Sequence, residues 1–200
     1  MPARPQTHRA STIARKQALL QAALEIVAEQ GIGGVTHRAV AARAGLPLST
    51  TSYFFDSLDE LLLEALRHFA GQELARYEAV TETVVTSALT PAEAIDAFVT
   101  LVSSQPSTRA IGQFEAYLEA ARRPELRDEI AAVLDAFGSP VAAALAAAGV
   151  AQPDAAAGAL VALADGFALQ RLVRGPRDRD RADLAAAVRA LIAGWQPPPS

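Results

Sequence analysis

Apolar positions recur along most of the chain at spacings of three, four and seven residues, the signature of helices that bury one face. From Ser11 the segment STIARKQALLQAALEIVAEQG puts Ile13, Leu20, Leu24 and Val27 on one stripe, and Gly31 is its natural stop. Thr36 can cap a short second helix, HRAVAARA, that ends at Ala44-Gly45, and a third begins around Pro47 and runs through LSTTSYFF to about Phe55. Ser57-Leu58-Asp59-Glu60 has the spacing of a capping box and opens a long helix over residues 58 to about 80. Thr90-Pro91-Ala92-Glu93 repeats the device at the start of a helix reaching about residue 102. Further helices are expected over 107–122, 124–148, 154–173 and 181–193, with Pro140 kinking the second of these.

Strand alternation bounded by hairpin turns is absent, as is a fixed-period repeat, so nine helices and an all-α fold are expected. Residues 1–10 and the terminal QPPPS lack periodicity and read as flexible ends, while RGPRDRDR at 174–181 reads as a charged loop.

Composition sharpens this picture. Hydrophobic residues make up 51% and charged residues 20% of the 200, which excludes global disorder, and 46 alanines favour helix over sheet. No stretch of about 18 uncharged apolar residues is evident, and the N-terminus has polar and charged residues where an export signal needs an apolar run. A cytoplasmic protein with no membrane partner is therefore expected. Without cysteine, and with His8, His37 and His68 scattered, neither a metal site nor another cofactor is expected.

The net charge of −4 argues against a nucleic-acid partner until it is resolved along the chain. Residues 1–55 carry Arg4, Arg9, Arg15, Lys16, Arg38 and Arg43 against Glu25 and Glu29, a net +4 that leaves −8 for the rest. Local potential governs association with a polyanion, so a basic N-terminal module (residues 1–56) and an acidic body (57–200) are expected to have different roles.

The segment THRAVAARAGLPLSTTSYFF, residues 36–55, has helix-turn-helix spacing. Val40 and Ala41 supply small packing residues, Gly45 permits a left-handed turn, and Leu46 with Phe54 or Phe55 closes a miniature core. A helix fills the DNA major groove, and short polar side chains on it reach base edges or phosphates. Ser49, Thr50, Ser52 and Tyr53, with Leu48 beside them, are the candidates, Tyr53 foremost for a phosphate. Thr36, His37 and Arg38 stand at the amide-rich start of the preceding helix, and Lys16, Arg15, Arg4 and Arg9 could add backbone contacts.

A first amphipathic helix, a helix-turn-helix closing on aromatics, and a Ser-x-x-Glu-Leu-Leu helix start together resemble the N-terminus of the TetR (tetracycline repressor) family of transcriptional regulators. The resemblance covers residues 13 to about 66. The family usually has Leu-Tyr, then Phe two residues later, in its recognition helix. Here Thr51-Ser52 fills the Leu-Tyr place, Tyr53 comes one residue late and Phe55 fits. A common lysine at the start of the fourth helix is Leu58 here, and a frequent glycine is Ser49.

For the body, the resemblance implies a helical domain that binds an effector inside and dimerises through its last two helices. Phe69, Phe98, Gln113, Phe114, Tyr117, Phe137 and Phe167 are candidates for the effector cavity, with Glu115, His68 or Arg109 as orienting groups. Leu160, Leu163, Leu172, Leu184, Val188 and Leu191, set among small residues, are candidates for a two-fold four-helix interface. The expected function is a homodimeric repressor of a double-stranded DNA operator, released by a small molecule that moves the fourth helix. An enzyme is not expected, because no nucleophile elbow, metalloprotease motif, phosphate loop or dinucleotide turn is present. The alternative is a helical ligand-binding or protein-interaction module whose head no longer binds DNA.

Overall fold

A computed structural model describes residues 5–87 and 89–195, and among the described residues it contains helix and no strand. Nine α-helices follow in order: α1 (Pro5–Gln30), α2 (His37–Arg43), α3 (Leu48–Phe54), α4 (Leu58–Thr86), α5 (Pro91–Ser103), α6 (Ser107–Arg122), α7 (Arg127–Ala147), α8 (Pro153–Arg174) and α9 (Asp180–Gly194). Single 3-10 turns at Ile32–Gly34 and Pro124–Leu126 precede α2 and α7. The all-α class is as expected, but α1 begins at Pro5, six residues before the helix read from the sequence. Arg4 and the QPPPS tail lie outside the described residues, as does the side chain of Arg9.

The helix boundaries follow from their caps. Gly31 takes φ 72° and its N–H donates to the Val27 carbonyl, ending α1. Thr36 Oγ1 accepts from Ala39 N at 3.1 Å to start α2. Ser57 Oγ accepts from Glu60 N at 3.1 Å, while the Glu60 carboxylate accepts from Asp56 N at 2.7 Å, one residue before the amide that a regular capping box engages. At α5 the box is complete, with Thr90 and Glu93 each accepting from the other's backbone N–H. Pro140 lies inside α7, which continues through it.

By contacts the chain divides into two compact units, residues 1–71 with 111–127 and residues 72–110 with 128–200. In the first, Leu20, Leu24 and Val27 of the expected stripe are buried with Leu19, Ala23 and Ile26. Ile13 is not: it is 54% exposed. Phe55, only 2% exposed, is buried as Val40, Ala41 and Leu61 are, whereas Phe54 stays half-buried.

In the second unit α5 and α8 pack on α9. A buried carboxylate, Glu73, sits between two guanidinium groups, with Arg76 Nη2 at 3.0 Å and Arg109 Nε at 2.7 Å. A carboxylate removed from water needs such compensation, since an unpaired one costs several kcal/mol or more. The charged run at 174–181 ties itself to this unit. Asp180 accepts from the backbone N–H and Nε of Arg177, both at 2.9 Å, and Arg181 reaches Asp96 at 2.5 Å.

One expectation is corrected here. Two helical stretches, Pro124–Ala147 and Pro153–Arg174, are long and apolar enough by composition to cross a membrane, with mean hydropathy 1.7 and 1.4. Every 18-residue window in these stretches contains Asp135 or Asp165, so neither is an uncharged apolar run, while the surrounding alanines keep the mean high. Both helices supply core residues to the second unit, Val133 and Phe137 from one and Leu160 and Ala164 from the other.

Candidate nucleic-acid interface and cavity

Helix α3 sorts its seven residues by a simple rule. Thr51 and Phe55 stand four apart on the inward side and are buried, so Leu48, Ser49, Ser52 and Tyr53 face solvent and Thr50 is half-exposed. Thr51 is tolerated in the core because its Oγ1 donates to the Leu48 carbonyl at 2.7 Å. Tyr53, 76% exposed, rests its ring edge-on against Phe54 with centroids 5.0 Å apart. The displaced tyrosine of the sequence is therefore an outward side chain, and Thr51, where the resemblance has leucine, faces inward.

Before α3, Gly45 adopts φ 65° with open space around it, so its requirement is conformational and not steric. Its turn brings Leu46 N to the Ala41 carbonyl at 2.9 Å and sets α3 across α2. Arg43 locks α2 to α1 through Glu29, with Nη1 at 2.9 Å and Nη2 at 2.5 Å. The Arg43 hydrogen bond holds the Glu29 carboxyl below its ordinary value, and the same bond raises Arg43. Thr36 and Arg38 are exposed, while His37 is half-buried with its Nδ1 buried and without a hydrogen-bond partner.

Lys16, expected as a DNA-backbone contact, has partners within the protein. Its Nζ lies 2.8 Å from Glu64 and 5.5 Å from the Phe55 ring centroid, so its charge is engaged within the unit. The partner stands 48 residues away in the chain, out of reach of any local pattern. Arg15 and Arg38 are exposed and make no ion pair among the described residues.

The second unit holds a cavity of about 570 Å³ whose walls include Phe98 and Leu101 of α5, Phe137, Val141 and Leu145 of α7, Leu160 of α8 and Ile192 of α9. Of the expected effector residues only Phe98 and Phe137 line it. Tyr77 backs this wall: its ring stacks on Phe137 at 4.7 Å, Phe137 stacks on Phe98 at 6.3 Å, and Arg76 lies 4.1 Å from the Tyr77 centroid. Burial pushes the Tyr77 phenol up to about 12, so the wall stays neutral at physiological pH.

Phe69, Gln113, Phe114 and Tyr117 belong to the first unit and do not line the cavity; Gln113 Nε2 donates to Tyr117 Oη at 2.8 Å, and Phe114 meets Tyr117 edge-on. Phe167 is half-buried outside the lining, and Arg109 is bound to Glu73. Sequence reasoning missed Leu101, Val141 and Leu145 because it searched for aromatics, and an aliphatic wall looks like ordinary core.

The six residues expected at a dimer interface separate. Leu160, Leu184 and Val188 are buried inside the unit at 2%, 2% and 1% exposure, two of them against the cavity. Leu163, Leu172 and Leu191 are half-buried. The open apolar positions of α8 are Leu169 and Val173, an i, i+4 pair that the sequence list omitted.

Comparison with known proteins fits this layout. The family described as "Bacterial regulatory proteins, tetR family" matches residues 19–65, and "Tetracyclin repressor-like, C-terminal domain" matches residues 89–194, more than half of the chain. The chain belongs to the TetR family. It is accordingly a helix-turn-helix transcriptional regulator. The HTH-type transcriptional regulator BetI of Rhizobium meliloti (strain 1021) is 29% identical to this TetR-family chain over 113 residues, 56% of the chain and 54% of BetI. The alignment thus spans about half the length of that relative. A TetR-family protein of Streptomyces coelicolor A3, SCO1917, is 32% identical with TM-score 0.65, covering 88% of this chain and 97% of its own. The multidrug binding protein EbrR, solved with ethidium, is 31% identical with TM-score 0.65 and coverages of 88% and 98%. Relative to the family pattern, the Leu58 that replaces a lysine is half-buried at the start of α4, and Ser49 is exposed on α3.

Proposed function

We propose that this regulator is a homodimeric repressor that holds a DNA operator through α3 and releases it when a small molecule enters the α5–α7–α8–α9 cavity. The observation that carries the reading is the division of α3: Thr51 and Phe55 anchor it while Ser49, Ser52 and Tyr53 stand free at a groove-sized face. Base edges would be met by Ser49, Thr50 and Ser52, and phosphates by Tyr53, Thr36, Arg38 and Arg15. Two heads on a two-fold axis read half-sites one helical turn apart, about 34 to 36 Å. The pair Leu169 and Val173, continued by half-buried Leu172, is the proposed start of the dimer face. EbrR, which binds ethidium, supports the effector role by likeness.

Linkage sets the mechanism. A ligand that prefers the DNA-free arrangement weakens operator binding by the same factor that DNA weakens ligand binding. Helix α4, 29 residues long, contributes to both compact units and is the proposed carrier of that coupling. The test is a titration of purified protein on its own upstream DNA at rising salt. With Arg15 and Arg38 free on each of two heads, log affinity should fall against log salt with a slope of about −4 or steeper. A slope near zero rejects DNA binding through this face.

A further inference from the structure

Recognition of an effector is decided by what the cavity wall can and cannot satisfy. None of the seventeen described lining residues carries a charge, and only Thr100 and Ser104 offer polar side-chain atoms. Both hydroxyl protons are already engaged: Thr100 Oγ1 donates to the Asp96 carbonyl at 2.7 Å, and Ser104 Oγ donates to the Thr100 carbonyl at 2.6 Å. Each oxygen can still accept a hydrogen bond, but neither has a proton left for a ligand carbonyl or carboxylate. The nearby buried acid, Glu73, is bound to Arg76 and Arg109 and does not line the space. A cation drawn into the apolar interior, away from the exposed edge at Thr100 and Ser104, would meet no free carboxylate and an anion no donor, and burial of an unpaired charge there is strongly unfavourable.

Resting on the reading of this cavity as the effector site, we propose that its ligand is an uncharged, mainly hydrocarbon molecule bearing at most one or two hydrogen-bond donors, such as a medium-chain alcohol. The volume of about 570 Å³ corresponds to roughly twenty waters at about 30 Å³ each, a size that suits a chain or fused ring of that order of non-hydrogen atoms. The stacked Phe98 and Phe137 rings and the aliphatic wall then supply the favourable contact. Charge separates this ligand class from ethidium, the cation bound by EbrR.

The experiment uses the full chain with the neutral fluorophore N-phenyl-1-naphthylamine as reporter, displaced by decanol, decanoate or decylammonium at pH 7. The three displacers share a ten-carbon chain and differ in head-group charge. Decanol should displace at a concentration at least about 30-fold lower than either ion, and equal displacement by an ion overturns the assignment. Ala144→Phe, which fills the space from α7, should abolish reporter binding while circular dichroism is unchanged; Ala148→Leu is the second filling variant should the first fail to fold. Reporter binding undiminished in a folded filling variant places the site elsewhere and likewise overturns the proposal. Operator binding is read in parallel: selective decanol binding with unchanged DNA affinity leaves the ligand class standing and removes the effector role. Release of DNA by decylammonium, with decanol inert, overturns the ligand class and leaves the effector role standing.

Discussion

Two polar side chains of α3, two residues apart and on different sides of the helix, are expected to behave in opposite ways. Tyr53 is 76% exposed with its ring edge-on to Phe54, so Tyr53→Phe should leave thermal stability within about 0.5 kcal/mol. Operator affinity should fall roughly ten-fold through loss of a hydroxyl to phosphate, read by fluorescence anisotropy. Thr51 is buried, and Thr51→Ala, which removes both packing and the bond to the Leu48 carbonyl, should cost about 1 to 2 kcal/mol in denaturant unfolding. The basic residues divide in the same manner. Arg38→Ala should reduce the steepness of the salt dependence by about one per head, whereas Lys16→Ala should leave it unchanged, because Lys16 already faces Glu64. The free or engaged state of a cation was invisible to the chain read in order, since its partner lies on a helix that only the fold brings near.

Among the elements, the start of each helix was written in local chemistry. Thr36, Ser57 and Thr90 each cap the helix that the sequence assigned to them, because a cap needs only the next three residues. Thr90→Ala should therefore cost about 1 kcal/mol, measured by the urea midpoint at unchanged slope. Helix ends were less legible: α4 runs to Thr86, past the expected stop near residue 80, since TETVVT contains no glycine or proline to end it. Cavity lining was legible only for its two aromatics. Phe98 and Phe137 were recognised by type, but Leu101, Val141 and Leu145 join them only through helix crossing angles, which periodicity does not encode. Phe137→Ala should cost about 3 to 5 kcal/mol, because it removes the ring stacked between Tyr77 and Phe98.

For the whole molecule, the carboxylates set the response to acid. Glu29, Asp59, Glu93 and Asp180 are each held below their ordinary values, chiefly by hydrogen bonds from Arg43, Arg123, the Thr90 hydroxyl and the Arg177 backbone respectively. Groups lowered in the folded state lend stability that is complete above the ordinary values of 4.5 for Glu and 3.8 for Asp and is lost as pH falls through the lowered ones. The melting temperature should accordingly be level from neutrality to about pH 5 and decline below about pH 4.5, with Glu93→Gln softening the decline. The charge asymmetry read from the sequence, +4 before residue 56 and −8 after, survives as a fact of composition, though pairing of Lys16 and Arg43 leaves fewer cations open than the sum suggests.

The inward turn of Thr51 carries an engineering consequence. Since the head is fastened by Thr51 and Phe55, the amino acids at 49, 50, 52 and 53 form an address label that can be rewritten without disturbing what holds it in place. Under the proposed function, grafting the corresponding four side chains of another regulator would redirect the protein to a different operator while the cavity residues stay unchanged.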